Sequence, residues 1–373
     1  MYYSTVYVGM DVHKDNFSLC CYTNEKEEAE YPQKVEAHYS KVINYLEAMR
    51  FHYGDDVLFV CGYEAGCLGF TLYHELTTHN VKCVILAPTT MPVAGGKKKI
   101  KTDKRDAAHI ARCLAHHDYS PVHIPTEQDE QVKEYLRMRD DHKLALKKVK
   151  QQILSFCLRQ GYHYDGTKNH WTQAHLNWLR TLKVSGLYQE ILEEYLLTYD
   201  YLTAKLAQID RRIENLAEDE SYRENVGKLR CFIGIKTRTA LSVITETGDF
   251  KRFPDACHYA AYLGLVPGED SSGGDQNRLG ITKAGNRHLR MLLVEASQSY
   301  ARGQAGHKSK ALADRQEGNC PTVIQYADKA NERLRRKFYR LTLKNGKKAN
   351  VAKTAIAREL ACFIWGMMTE HYA

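Results

Sequence analysis

Near residue 125 the chain changes its hydrophobic period, and no single layer architecture satisfies both halves. Before that point, short β-branched and aromatic runs alternate with helical segments. Thr5-Val6-Tyr7-Val8-Gly9-Met10 reads as a strand, and Phe17 to Tyr22 as a second one after a turn at Lys14-Asp15-Asn16. A helix is predicted over 38–52, a strand over 57–61, a helix over 69–79 and a strand over 81–86 that stops at Pro88. A last helix begins at Thr102 or Asp103 and runs to His117. Strand–strand followed by helix–strand–helix–strand–helix specifies an α/β sheet domain over 1–125.

Beyond it, apolar residues recur at helical spacing. Leu136, Leu144, Leu146, Val149, Ile153, Leu154 and Leu158 mark one long amphipathic helix, and a polar stretch with Gly161 and Gly166 breaks it. A second helix over 186–219 carries Ile191, Leu192, Leu196, Leu202, Leu206, Ile209, Ile213 and Leu216. Residues 126–225 are therefore expected to form an antiparallel helical hairpin or coiled-coil arm of the kind that commonly dimerises. A third, mainly α-helical unit is expected over 226–373. It opens with a helix–turn–helix-like pattern, passes through a Gly/Ser-rich loop at 268–280 and ends in basic helices.

Composition removes several classes. At 373 residues and 43% hydrophobic, the chain has ample material for packed cores. No apolar run approaches the roughly 20 residues a bilayer span needs. The first residues lack the basic and apolar regions of a secretory signal, so a soluble cytoplasmic protein is expected. Eleven cysteines without a C-x-x-C pair read as reduced thiols. His109, Cys113 and His116 or His117 share a helical face, but with no fourth ligand evident a zinc site is not expected.

The net charge of +8 is a weak hint, and its distribution says more. Lys97, Lys98, Lys99, Lys101, Lys104 and Arg105 stand against a single acid, Asp103. Residues 328–353 hold ten cations, Arg335 and Arg336 among them, against Asp328 and Glu332. Two such clusters point to a nucleic-acid partner.

Four acids occupy topologically special positions. Asp11 ends the first predicted strand, and Glu64 ends the strand over 57–62. Asp103 and Asp106 are spaced i, i+3, on one face of a helix start. Taken singly, an acid after a strand is an ordinary turn residue and Asp103 an ordinary N-cap. Together, at one edge of a sheet, they would raise each other's pKa unless a divalent cation compensated them. Hard Mg²⁺ takes carboxylate oxygens and stabilises attacking and leaving oxygens at a phosphodiester.

These positions resemble the RNase H-like superfamily, and specifically a RuvC-like nuclease domain. Gly9-Met10-Asp11-Val12-His13-Lys14, Tyr63-Glu64-Ala65-Gly66 and Lys101-Thr102-Asp103-Lys104-Arg105-Asp106-Ala107 are similar to the signature of DEDD transposases of insertion-sequence family 110. The resemblance implies that Asp11, Glu64, Asp103 and Asp106 bind Mg²⁺ beside the DNA backbone.

The last unit extends the resemblance. Its opening turn reads Arg230-Cys231-Phe232-Ile233-Gly234-Ile235-Lys236-Thr237. A second glycine is usual in the family where Lys236 stands, and Lys236 places an ammonium there that can contact phosphate. Tyr262 to Pro267, the loop Gly268-Glu269-Asp270-Ser271-Ser272-Gly273-Gly274 and Leu279 to Arg290 are similar to the family's C-terminal transposase domain. By itself a Ser-Gly-Gly loop is a flexible turn. The resemblance implies that Ser272, which directly precedes glycine as the family's serine does, attacks the scissile phosphate and becomes a covalent phosphoserine; Ser271 is the alternative. Lys283, Arg287 and Arg290, at i, i+4, i+7, are expected to clamp a phosphoryl group. The family further implies a bacterial protein at the nucleoid, recognition of donor and target DNA through a structured guide RNA, and homo-oligomers.

Two competing readings are a RuvC-type structure-selective endonuclease in which water attacks, and a non-catalytic nucleic-acid-binding protein. A tyrosine recombinase lacks support, because His288-Leu289-Arg290 has the wrong spacing for its H-x-x-R step.

Overall fold

The computed structural model describes residues 4–66, 68–92, 102–166, 169–269 and 278–372. The chain divides into two compact units, Met1–Ile124 and Pro125–Ala373.

In the first unit the elements are β1 (Thr5–Val12), β2 (Asn16–Tyr22), β3 (Ala29–Glu36), α1 (Tyr39–Tyr53), β4 (Leu58–Glu64), α2 (Thr71–Thr78), β5 (Lys82–Leu86) and α3 (Asp103–His116). The five strands form one sheet in the order β3-β2-β1-β4-β5. β1–β2 and β2–β3 are antiparallel, whereas β1–β4 and β4–β5 are parallel. This mixed sheet with helices is the α/β domain that the sequence predicts.

Alternation along β1 assigns the two faces of the sheet. Val6, Val8 and Met10 are fully buried in a core with Val42, Tyr45, Leu46 and Met49 of α1 and Leu72 and Leu76 of α2. The opposite face takes α3 through Ala107, Ala111 and Ala115, which pack with Cys20 and Tyr22 of β2, and through Ile110 and Leu114. Alanines at i, i+4, i+8 leave no side chain to hold the helix off the sheet, and Gly9 and Gly62 remove the sheet's own side chains beneath it. A Cβ on Gly9 would lie 2.0 Å from the Ala107 carbonyl oxygen and 2.4 Å from the Ala111 nitrogen, and one on Gly62 would lie 2.8 Å from the Leu114 methyls. The close seat of α3 is thus written in small residues on both partners.

Strand β3 lies outside the sequence prediction. Its residues, AEYPQKVE, are mostly exposed and include Pro32, so neither apolar alternation nor an unbroken donor ladder announces it. An edge strand tolerates both.

The second unit comprises α4 (Glu127–Arg159), α5 (Gln173–Thr181), α6 (Leu187–Ala217), α7 (Arg223–Arg230), α8 (Thr237–Thr247), α9 (Ala256–Tyr262), β6 (Pro267–Glu269), β7 (Arg278–Ile281), α10 (Arg287–Ser297), α11 (Lys310–Gln316), α12 (Pro321–Tyr339) and α13 (Ala349–Met368). It is mainly helical, as expected. Helices α4 and α6 pack along each other with two separate cores. The distal core holds Val149, Ile153 and Phe156 with Leu192, Leu196, Tyr199 and Leu179. The proximal residues Val132, Leu136, Ile209 and Ile213 belong instead to the core of α7–α13. Leu144 and Leu158, counted on the apolar stripe from sequence, are exposed at 62% and 68%.

A polar layer separates these cores. Arg139 forks onto Asp210 at 2.8 and 3.1 Å and touches Asp140 at 3.3 Å, and Asp140 accepts from Arg238 of α8 at 2.9 and 3.2 Å. The two-pronged geometry fixes the register of α4 against α6 and α8.

Candidate metal and nucleic-acid site

Asp11 lies near the C-terminal end of β1, on the face that Gly9 turns toward α3. Its cross-strand partner on β2 is Ser18, whose partner on β3 is Lys34. Asp11, Ser18 and Lys34 therefore form a row across three strands on one face. Glu64 is the last residue of β4, one step beyond the paired Met10 and Tyr63. It shares the face of Gly62, so it too is on the α3 side. Asp103 and Asp106 occupy the first turn of α3, and the N-cap is Thr102 rather than Asp103.

Two of these acids come together with a histidine, and the charge of a third, Asp106, reaches them. His13 Nε2 is 3.1 Å from Asp11 Oδ2 and 4.0 Å from Asp103 Oδ1, and Lys34 Nζ is 3.0 Å from Asp103 Oδ2. One ligand atom each from Asp11, His13 and Asp103 fall within 4.8 Å of one another. Burial pushes the Asp11 carboxyl above its ordinary pKa; His13 opposes that shift, and the negative charges of Asp106 and Asp103 add to it. The Lys34 ammonium, by hydrogen bond and by charge, holds Asp103 below the ordinary carboxylate range.

Two carboxylates and an imidazole whose ligand atoms lie within 4.8 Å of one another, with Asp11 kept from ionising freely by burial and by its acidic neighbours, fit a divalent cation. Asp11, Asp103 and His13 would hold it, with Asp106 close enough to raise Asp11. His13 and Lys34 were not identified from sequence. His13 falls inside the quoted motif but carries no spacing signal of its own, and Lys34 is invisible without β3. Lys34 and a cation compete for the same Asp103 carboxylate. Replacing Lys34 by methionine is expected to tighten Mn²⁺ binding a few-fold, measured by titration calorimetry on the full chain. Weaker binding would show instead that Lys34 orders the site.

His109 and Cys113 lie 3.7 Å apart at Nε2 and Sγ, but His116 Nε2 turns to the Tyr22 hydroxyl at 3.2 Å. The ten described cysteines are free thiols.

Of the basic cluster over 97–105, Arg105 is exposed on the first turn of α3, while Lys97, Lys98, Lys99 and Lys101 lie outside the described residues. So do Ser271 and Ser272. Their flanks, β6 and β7, pair as an antiparallel ribbon, Pro267 with Ile281 and Glu269 with Arg278. Lys236 is exposed directly before α8. The expected helical spacing of Lys283, Arg287 and Arg290 does not hold. Lys283 has a φ of +57° and precedes α10, which begins at Arg287. Arg290 Nη1 donates to the carbonyls of Leu263 at 2.8 Å and Ala284 at 3.3 Å, so this guanidinium braces the chain segments before the helix. Arg336 is exposed and paired with Glu332.

An α/β unit with clustered acids at one sheet edge, followed by a helical unit, defines a DNA-cutting and rejoining enzyme of the transposase class when set beside known proteins. Residues 8–162 match the DEDD transposase family of IS110 type, and residues 228–312 match the transposase family IS116/IS110/IS902. The chain is 31% identical over 353 residues to the transposase of insertion sequence element IS1533 from Leptospira borgpetersenii, covering 92% of this chain and 98% of that one. It is 32% identical over 369 residues to the putative transposase y4qE of Sinorhizobium fredii, covering 99% and 90%. The pilin gene-inverting protein of Moraxella lacunata is 24% identical over 302 residues, covering 78% and 81%. The chain belongs to the IS110 family of insertion-sequence transposases. Among the described residues, no helix is long and apolar enough to cross a membrane.

Proposed function

We propose that this transposase cuts and rejoins DNA through a serine–DNA phosphodiester, with Mg²⁺ held at the acidic edge of a RuvC-like domain and recognition guided by a structured RNA. The observation that carries the reading is the convergence of Asp11, Asp103 and Asp106 on one face, with Glu64 at the end of the neighbouring strand. The strand order β3-β2-β1-β4-β5, antiparallel on one side of β1 and parallel on the other, supports the RNase H-like assignment.

A bound Mg²⁺ would supply charge neutralisation for the phosphodiester and Lewis-acid stabilisation of the oxygens whose charge changes. The chain's own residues do the rest. Asp11, Glu64, Asp103 and Asp106 present the oxygens, His13 fixes the orientation of the Asp11 carboxylate, and Lys34 and Arg105 offset the negative charge of an approaching strand. Ser272 Oγ forms a bond to phosphorus, the bond to one bridging strand oxygen breaks, and the hydroxyl proton leaves with solvent or with that oxygen. The bond energy is kept for the reverse attack by a new strand end. For this, tetrad and serine must meet in the working assembly, within one chain or between copies linked through the helical arm. Mixing a tetrad-dead with a serine-dead variant distinguishes the two: restored activity requires that separate chains complete one site.

Incubating the full chain with DNA bearing the element's ends, its candidate RNA and Mg²⁺ tests the reading on a denaturing gel. A covalent protein–DNA adduct is expected, absent with EDTA and absent in Ser272→Ala. Cleavage by Ser272→Ala at the wild-type rate, with no adduct in wild type, would make water the nucleophile. Recombination that persists without RNA would remove the guide.

A further inference from the structure

The second unit holds a cavity of about 370 Å³ whose charge is not balanced by the protein. Its walls are the turn through Gly234 and Lys236, the segment 299–309 carrying Arg302 and His307, Arg315 of α11 and Arg335 of α12. Among the described residues no acid lines it. We propose that this cavity grips a backbone phosphate of a nucleic-acid strand, an inference that rests on the nucleic-acid partner argued above.

The contrast with neighbouring cations carries the argument. Nearby, Lys308 of the segment 299–309 is paired with Asp328, and on α12 Arg336 is paired with Glu332 and both Arg333 and Lys337 with Glu359 of α13. Among the described residues, Lys236, Arg302, Arg315 and Arg335 form no ion pair. The Nε atoms of Arg315 and Arg335 are buried with no hydrogen-bond partner, an arrangement that costs free energy until an acceptor arrives. Burial and the like charge of Arg230 also push the Arg315 pKa down, as expected for a cation kept without a counter-charge.

The cavity is built rather than accidental. Asn331, buried on α12, accepts from the Ile233 amide at 2.8 Å and donates to the Cys231 carbonyl at 3.0 Å, and so fixes the turn. Gly234 has a φ of +84°, and a Cβ there would lie 2.2 Å from the Ala296 carbonyl oxygen, so the turn is seated against α10. Arg335 Nη1 donates to the carbonyls of Gln304 at 2.7 Å and His307 at 3.1 Å, which holds the opposite wall. Cations on rigid walls lose little entropy on binding. Among the described residues no phenylalanine, tyrosine or tryptophan lines the space, so positive charge rather than a stacking platform dominates it. The contact fits the strand's phosphate and not its sequence.

The test is the salt dependence of binding by the full chain, read as fluorescence anisotropy with a labelled DNA duplex and, in a second arm, a labelled single-stranded RNA. Each phosphate contact contributes about 0.9 to the slope of log K against log salt for a duplex and about 0.7 for a single strand. Arg302→Gln, at an exposed position, and Arg315→Gln are each expected to lower that slope by about one contact and to weaken binding alike on unrelated sequences. Loss in only one arm identifies which strand occupies the cavity. Unchanged slopes in both arms, with binding and cleavage intact, would overturn the cavity and leave the transposase reading standing. Wild-type protein that binds neither probe would overturn both. If Arg315→Gln fails to fold, Arg302→Gln alone decides.

Discussion

Replacing Asp11 by asparagine is expected to lower DNA strand cleavage by about a thousandfold or more while leaving the metal-free fold as stable as before, or more so. The first half follows from position: the Asp11 carboxyl feels both Asp103 and Asp106 and touches His13. The second follows from sign. Its pKa in the fold is raised above the unfolded value, so ionised Asp11 costs stability above that folded pKa. The cost is relieved as pH falls through it. Asparagine keeps the shape and removes the charge. A divalent cation repays the wild-type cost by binding the folded state alone, by about 2.7 kcal/mol at a hundredfold excess over its Kd. Melting curves with EDTA and with Mg²⁺ should therefore cross over. The variant melts at or above wild type without metal and below it with metal. A variant that cuts DNA at the wild-type rate sinks the assignment of Asp11, and one that melts lower in EDTA sinks the electrostatic account.

The first domain was legible because its strands bury one clean face and its acids stand at strand ends. Val6, Val8 and Met10 alternate with Tyr7, Gly9 and Asp11, and that period alone places Asp11 opposite the main core. What escaped was everything carried by polar edges. Strand β3 has no apolar face to declare it, and with it went Lys34, whose partner lies 69 residues away in the chain. The ribbon of β6 and β7 reads as a loop, since three and four residues are too few to show a period. In the arm, helical spacing alone could not separate buried Ile153 from exposed Leu158. The difference lies in which stretches of α4 face α6, and the ion pairs of Arg139 and Asp140 interrupt that seam. The spacing of Lys283, Arg287 and Arg290 misled because a residue at φ +57° cannot continue a helix, a conformation that lysine does not advertise.

Gly9→Ala, which touches no acid, is expected to cost about 1–3 kcal/mol of stability and to remove most activity with all four carboxylates in place. The new methyl would stand 2.0 Å from the Ala107 carbonyl oxygen and 2.4 Å from the Ala111 nitrogen, both backbone atoms in the middle of α3, which no rotamer change can move aside. Helix α3 must lift or slide, and Asp103 and Asp106 are in its first turn, one turn from Ala107. Their separation from Asp11, fixed to β1, then grows. Gly62→Ala supplies the control. There the obstructing atoms are the Leu114 methyls at 2.8 Å, the far end of a side chain that can rotate, so a smaller loss of both stability and activity is expected. Ala111→Gly should not rescue Gly9→Ala, because it removes the Cβ contact at 2.9 Å and leaves the two backbone contacts untouched. Thermal melts and Mg²⁺-dependent cleavage by the three variants check this ordering. If Gly9→Ala matches wild type in both, the helix is not seated on the sheet as described. The carboxylates would then owe their convergence to something other than this pair of glycines.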